Sequence, residues 1–204
     1  MSHLPAIACA ALVFAGPQVF SERADEFTAQ LVDAAIDRTA RTIRYDGSYR
    51  IIPYPGGDVP AEVGVCTDEI IRIYRSAGID LQQLVHEDMI LRFEAYPQSW
   101  GLPRPDSNID HRRAPNLQRF FELHGDRFAI SNDPADYRPG ELVTWMLPGN
   151  LPHIGIITDR RTHDGERPLI VHNIGHGPKL EDVLFDFEIT GHYRYPKDAE
   201  TGVQ

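Results

Sequence analysis

The sequence predicts an α+β domain of N-terminal helices, a cysteine-bearing helix and then a small antiparallel sheet. Three observations carry that prediction. Apolar residues recur at helical spacing in segments between residues 23 and 124. After "DYRPG" the pattern changes to short alternating or β-branched runs separated by turn residues. The 204 residues are 42% hydrophobic and 25% charged, enough for one sizeable core and too few for two comfortable ones. No internal repeat or low-complexity tract divides the chain, so one domain is expected over residues 23–197.

The elements follow in order. From Leu4 to Ala15 the chain is almost entirely small and apolar, and Val13-Phe14-Ala15 fits a secretory cleavage site. Residues 1–15 are therefore read as a signal peptide, and the protein as periplasmic or otherwise exported. The usual positively charged start is missing, so a buried N-terminal segment is the alternative. Cleavage would remove Cys9 and leave Cys66 without an internal partner, whereas an uncleaved chain keeps a Cys9–Cys66 disulfide open. "PAIA" before Cys9 lacks the usual lipid-attachment pattern.

Residues 23–44 form an amphipathic helix, with Phe27, Leu31, Ala34, Ala35 and Ile36 on one side. A Gly- and Pro-rich segment follows, within which "YRIIPY" reads as a short strand or extended piece. The next helix runs from about Cys66 to Ala77, with Ile70, Ile71, Ile73 and Tyr74 as its apolar stripe and Gly78 as its stop. Thr67, Asp68 and Glu69 place a cap candidate and carboxylates in its first turn. "DLQQLVHEDMILRFEAYP" is a further helix ended by Pro97, residues 98–113 are irregular, and "NLQRFFELH" is a short helix. "ELVTWML", "HIGIITD", "PLIVHNI" and "HYRYP" then read as four strands of a meander, with His163-Asp164-Gly165 turning a hairpin.

A cysteine at a helix start has a chemical advantage. Unpaired N–H groups and the positive dipole end favour the thiolate, lowering its pKa below the usual ~8.5, and can help bind an oxyanion. The thiolate still needs a base, usually a histidine, which in turn needs an orienting group. Of nine histidines, His153 is best placed, because it opens "HIGIITD" at a sheet edge. His172, near the end of the next strand, comes within reach across a hairpin. Asn173 is its rival as orienting group, on the opposite strand face. Taken singly, Cys66 reads as an inert core thiol and each histidine as structural; the order Cys, strand-start His, then polar strand-end residue is that of a nucleophilic cysteine site.

"YPGGDVPAEVGVCTD", "RPGELVTWMLPGNLPHIGIITD" and "LIVHNIG" together resemble the NlpC-type papain-like cysteine peptidases. "GVCTDEIIRIYRSAGIDLQQLVHEDM" and "NIDHRRAPNLQRFF" are similar, more closely, to a YijF-like bacterial family of unassigned function, over about residues 30–196. The resemblance implies a papain-like fold with Cys66 as nucleophile, His153 as base and His172 as third member. It also implies that Tyr54 lines the site. Val65 and Asp68 depart from the "DCSG" pattern of those peptidases, in the places of its aspartate and of a small residue. Asp68 and Asn173 join Tyr54 as expected substrate contacts, with helix capping or an arginine partner as the alternative for Asp68. In the polar loop "NIDHRR", Arg112 or Arg113 is the candidate for binding a substrate carboxylate, the alternative being a solvated loop. His111, His124 and His163 read as surface or loop histidines.

The function expected is an exported cysteine hydrolase of amide bonds, with peptidoglycan or another amide-containing polymer as substrate. No cofactor is called for. A zinc amidase or zinc-binding protein using Cys66, His153 and His172 is the alternative, although no "HExxH" or "CxxC" spacing supports it. A non-catalytic cell-wall binding module and a transglutaminase-like acyltransferase are the others. The formal net charge of −10 gives no attraction to nucleic acid as a whole, and no apolar run reaches the ~18 residues of a membrane span.

Overall fold

The computed structural model describes residues 17–197, with side chains from residue 23 onward. The expected signal peptide, Cys9 and the cleavage site lie outside the described residues. Helix α1 (Pro17–Arg38) buries Leu31, Val32 and Ala35. It ends earlier than its periodicity predicts. Thr39 Oγ1 donates to the Ile36 carbonyl at 2.7 Å, and the N–H groups of residues 39–41 turn back onto Ile36, Asp37 and Arg38. The chain leaves that turn as a two-residue strand, β1 (Arg44–Tyr45), parallel to β2 (Val63–Gly64).

"YRIIPY" forms no strand. Side chains rather than a ladder satisfy its backbone: the Ile52 N–H donates to Asn108 Oδ1 at 2.9 Å, and Gln82 Nε2 donates to the Pro53 carbonyl at 2.9 Å.

Strand β2 runs almost directly into α2 (Cys66–Ser76), which is buried from Cys66 to Ile71 and again at Ile73 and Tyr74. Its termination is as expected: Gly78 adopts φ +83°, a left-handed conformation that suits glycine, and the Ile79 N–H returns to the Tyr74 carbonyl. Helix α3 (Leu81–Arg92) is capped by Asp80 and tightens into a 3₁₀ turn at Phe93–Ala95 before Pro97. Helix α4 (Ala114–His124) carries Pro115 in its first turn, where a missing N–H costs nothing.

The α+β class holds. The strands β3 (Asp126–Arg127), β4 (Leu142–Leu147), β5 (Leu151–Arg161), β6 (Pro168–His172), β7 (Lys179–Glu181) and β8 (Glu188–Arg194) make one antiparallel sheet ordered β3-β8-β4-β5-β6-β7. Short strands β3 and β7 escaped the sequence pattern, and the last strand begins at Glu188 rather than at His192. The sheet is no simple meander: β8 returns to pair with β4, Tyr193 opposite Leu142. The β5–β6 turn falls at 163–165 as expected, with Gly165 at φ +76°.

Leu142, Ile154, Ile156, Val171 and Tyr193 face α2, α3 and α4 in the main core. The next residues along the strands, Val143, Trp145, Ile157 and Ile170, pack with Tyr137 and Leu184 in a second core. Both faces of the central strands are thus covered, which is why "HIGIITD" reads as a continuous apolar run.

Candidate active site

Cys66 is the first residue of α2, a free thiol with 5% of its surface exposed. Val65 before it is extended (φ −115°, ψ −178°), so the chain turns from strand to helix at the cysteine. Pairing of β6 with β5 stops at Gly155–His172. Beyond that last pair the sulfur comes near the His153–Ile154 peptide, close enough for the Ile154 backbone to favour its thiolate form. Among the described residues no hydrogen bond joins the sulfur to the His153 ring itself.

Burial pushes the Cys66 thiol up to about 12, and the Asp68 carboxylate adds to the rise. The backbone of Ile154, Thr67 and Cys66 itself pulls the other way. The expectation of a lowered thiol pKa is therefore overturned. The helix-start donors are present as predicted, but the loss of solvation at a buried first residue outweighs them.

His153 and His172 come together as expected. Nε2 of His153 lies 2.9 Å from Nδ1 of His172, with the rings nearly perpendicular at 76°. Burial, with His172 beside it, lowers His153 to about 3; burial also lowers His172, against a raising effect from Glu181. Burial thus favours the neutral form of both imidazoles. Trp145 flanks the pair, its ring centroid 5.8 Å from that of His153.

Gly155 leaves the room this requires. A Cβ there would fall 2.8 Å from Ile170 Cγ2 and 3.1 Å from both His172 Cβ and Trp145 Cζ3. Asn173 points away from the pair, as strand alternation predicts. Its Nδ2 is 3.5 Å from the Gly64 carbonyl and its Oδ1 accepts the Gly175 N–H, so it braces the approach to Cys66.

Two partners of the site were not legible in the sequence. Glu181 Oε2 lies 3.0 Å from His172 Nε2, extending the row to Glu181–His172–His153. Its strand is only three residues long, too short for a periodicity signal. Tyr45, opposite Gly64 in the β1–β2 ladder, has its phenol pushed up to about 12 by burial and then by the nearness of Cys66 and Asp68. Tyr54, the tyrosine expected there, instead packs edge-on against His86 of α3, with its hydroxyl 3.4 Å from Glu87.

Asp68 and Arg112 are partners of each other. Arg112 Nε and Nη2 donate to the two carboxylate oxygens of Asp68 at 2.8 and 3.0 Å, and Asp68 also accepts the Val65 N–H at 2.8 Å. Arg112 further donates to the carbonyls of Ser48 and Asp46, and its side chain is 1% exposed. Neither group is free to meet a substrate: the expected substrate contacts are a buried clamp on the start of α2. His111 is buried, not on the surface, and burial lowers it to about 3. His124 is half-buried against Asp88, while His163 is exposed. Among the described residues no three His, Cys, Asp or Glu side chains converge to hold a metal, which leaves the zinc alternative without a ligand set.

The family described as a domain of unknown function, DUF1287, matches residues 32–195. An uncharacterized protein of Escherichia coli (strain K12), YijF, is 51% identical over 165 residues, covering 81% of this chain and 80% of that protein. A crystal structure described as similar to lipoprotein, NLP/P60 family, from Staphylococcus aureus subsp. aureus Mu50, is similar over 83% of this chain at 17% identity, with a TM-score of 0.43. The chain spans 41% of the length of that protein.

Proposed function

The chain belongs to the DUF1287 family, whose name assigns no chemistry, and from its site we propose that it is a cysteine hydrolase of amide bonds, acting through Cys66, His153 and His172. We further propose that residues 23–197 form a single domain of papain-like, NlpC type, and that the protein is exported and cuts peptidoglycan peptides. One observation carries the reading: a sulfur at a helix start lies against the peptide that follows a histidine, and that histidine is hydrogen-bonded to a second. The motif resemblance over "GVCTD", "PHIGIITD" and "LIVHNIG" supports the substrate class.

In this reading the thiol and the imidazole both start neutral. The Cys66 proton passes to His153 as the Sγ–C bond forms at the scissile carbonyl, and the carbonyl electron pair moves onto oxygen. Backbone N–H groups at the start of α2 face the developing oxyanion. Collapse expels the amine, which takes the proton from His153 and leaves a thioester. Water, deprotonated by the same ring, attacks the thioester and regenerates the thiol. His172 holds the His153 ring in register throughout.

The test compares wild type with Cys66→Ala and His153→Ala on purified muropeptides, following products by mass. Wild type should release a new amine and carboxylate, and each variant should lose about 10³-fold or more in kcat. Equal activity in the three proteins, or none in wild type, overturns the reading. The 5% exposure of Cys66 favours one second reading, a non-catalytic module holding the same polymer. Wild-type binding of muropeptides without cleavage, unaltered by Cys66→Ala, would establish it.

A further inference from the structure

We propose that Glu181 is a positioning residue that sets the tautomers of both histidines and leaves Nδ1 of His153 bare as the proton acceptor. The proposal rests on the hydrolase reading above and deepens it. Its basis is the row of contacts Glu181 Oε2–His172 Nε2 at 3.0 Å and His172 Nδ1–His153 Nε2 at 2.9 Å.

An ionised carboxylate only accepts hydrogen bonds, and a neutral imidazole has one donor and one acceptor nitrogen. The Glu181 contact therefore requires the proton on Nε2 of His172. That leaves Nδ1 of His172 as an acceptor, which must be met by an N–H on Nε2 of His153. The remaining nitrogen of His153, Nδ1, carries only a lone pair. It is also the ring nitrogen nearer its own backbone, and the sulfur lies against that backbone at the His153–Ile154 peptide. One exposed carboxylate thus dictates, two rings away, where a thiol proton can go. The deduction is for neutral rings, the form that burial favours for both.

Sheet geometry fixes the reach. Glu181 pairs with Ile170, two residues from His172 on the same face, so the two side chains are diagonal neighbours across β6 and β7. Strand β7 is the sheet edge, and the Glu181 side chain is 38% exposed, so replacing it removes no core packing. Its other oxygen lies 4.0 Å from Lys179 Nζ, which steadies the carboxylate from the solvent side.

The experiment uses the full protein with ¹⁵N-labelled histidine, and reads tautomers from long-range proton–nitrogen spectra at pH 7 alongside muropeptide cleavage. Wild type should show protons on Nε2 of both His153 and His172. Glu181→Lys presents only donors, so it should move both protons to Nδ1, block the base, and lower kcat with little change in KM; a wrong-tautomer replacement of this kind costs up to about 10⁴-fold. Glu181→Gln keeps an acceptor oxygen and should restore both the tautomers and kcat to within about tenfold of wild type. A proton on Nδ1 of His153 in wild type, or unchanged tautomers in Glu181→Lys, overturns the proposal. If the tautomers behave as expected while wild type cleaves no amide, the positioning role is upheld and the hydrolase reading alone falls.

Discussion

At the scale of single residues, the Asp68–Arg112 pair decides how Cys66 is presented. Two opposite charges, 3% and 1% exposed at their side chains, meet through two hydrogen bonds, and the hydroxyl of Thr67 donates to the Arg112 carbonyl. The segment at 110–112 is thereby tied to the first turn of α2. Removing one partner strands the other charge in the interior, so Asp68→Asn or Arg112→Met should each cost about 3–5 kcal/mol in urea unfolding at pH 7. The double replacement should cost clearly less than the sum, because no unpaired charge remains. Additive losses, or single losses under about 1 kcal/mol, would mean that the pair does not fasten the helix. The meeting of His153 and His172 was legible from the hairpin that joins their strands, although β5 begins two residues before His153 and lies inside the sheet rather than at its edge. For Asp68 the alternative of capping the helix and binding an arginine is the one the structure bears out, but which arginine was not legible, since Arg112 lies 44 positions away in a polar loop that reads as solvated. Tyr45 was missed in favour of Tyr54 for a related reason. What brings it near the cysteine is a two-residue parallel ladder, which leaves no trace in periodicity.

At the scale of elements, β5 carries the most consequence. Its two-residue period puts His153 and Gly155 on the face shared with Trp145 and His172, while Ile154 and Ile156 enter the helical core. The alternation was readable, and so was the placement of Asn173 away from the ring pair. The β8–β4 pairing was not: a long return and a short intervening β7 look in sequence like one more turn of a meander. Gly155 is where element geometry meets chemistry. A methyl group there sits 2.8 Å from Ile170 Cγ2, too close without movement of β6. Gly155→Ala should destabilise by about 1–3 kcal/mol through overpacking. Because the same methyl presses on His172 and Trp145, muropeptide cleavage should fall further than that loss explains under conditions where the variant is fully folded. Full activity in a folded Gly155→Ala protein would show that the ring pair tolerates a wider spacing.

At the scale of the whole molecule, buried titratable groups set a pH window for stability. His111 and His153 are each lowered by burial from 6.5 to about 3, and His172 is lowered too. Between those values the unfolded chain binds protons that the folded chain refuses, so stability is complete above about 6.5 and falls as pH drops toward 3. Each such group supports a slope of up to about 1.4 kcal/mol per pH unit. Asp110, raised from 3.8 by burial, works the other way, but His124 is also lowered, so it is one group against four. On the alkaline side, Cys66 is raised from 9.0 to about 12 and Tyr193 from 10.0 to about 12, both chiefly by burial. There the unfolded chain loses protons that the folded chain keeps, so stability falls as pH rises above about 9. Urea midpoints measured from pH 4 to 11 should therefore form a plateau between about 6.5 and 9, with losses on both sides. The acid limb should begin near the ordinary histidine range, well above that of the carboxylates. Replacing His111 by Asn should shallow that limb by about one group's slope, provided the variant is folded at pH 7. A midpoint that stays level from pH 7 down to 4 would mean that the buried imidazoles take up their protons without unfolding the chain, and the neutral His153 on which the proposed chemistry depends would lose its footing.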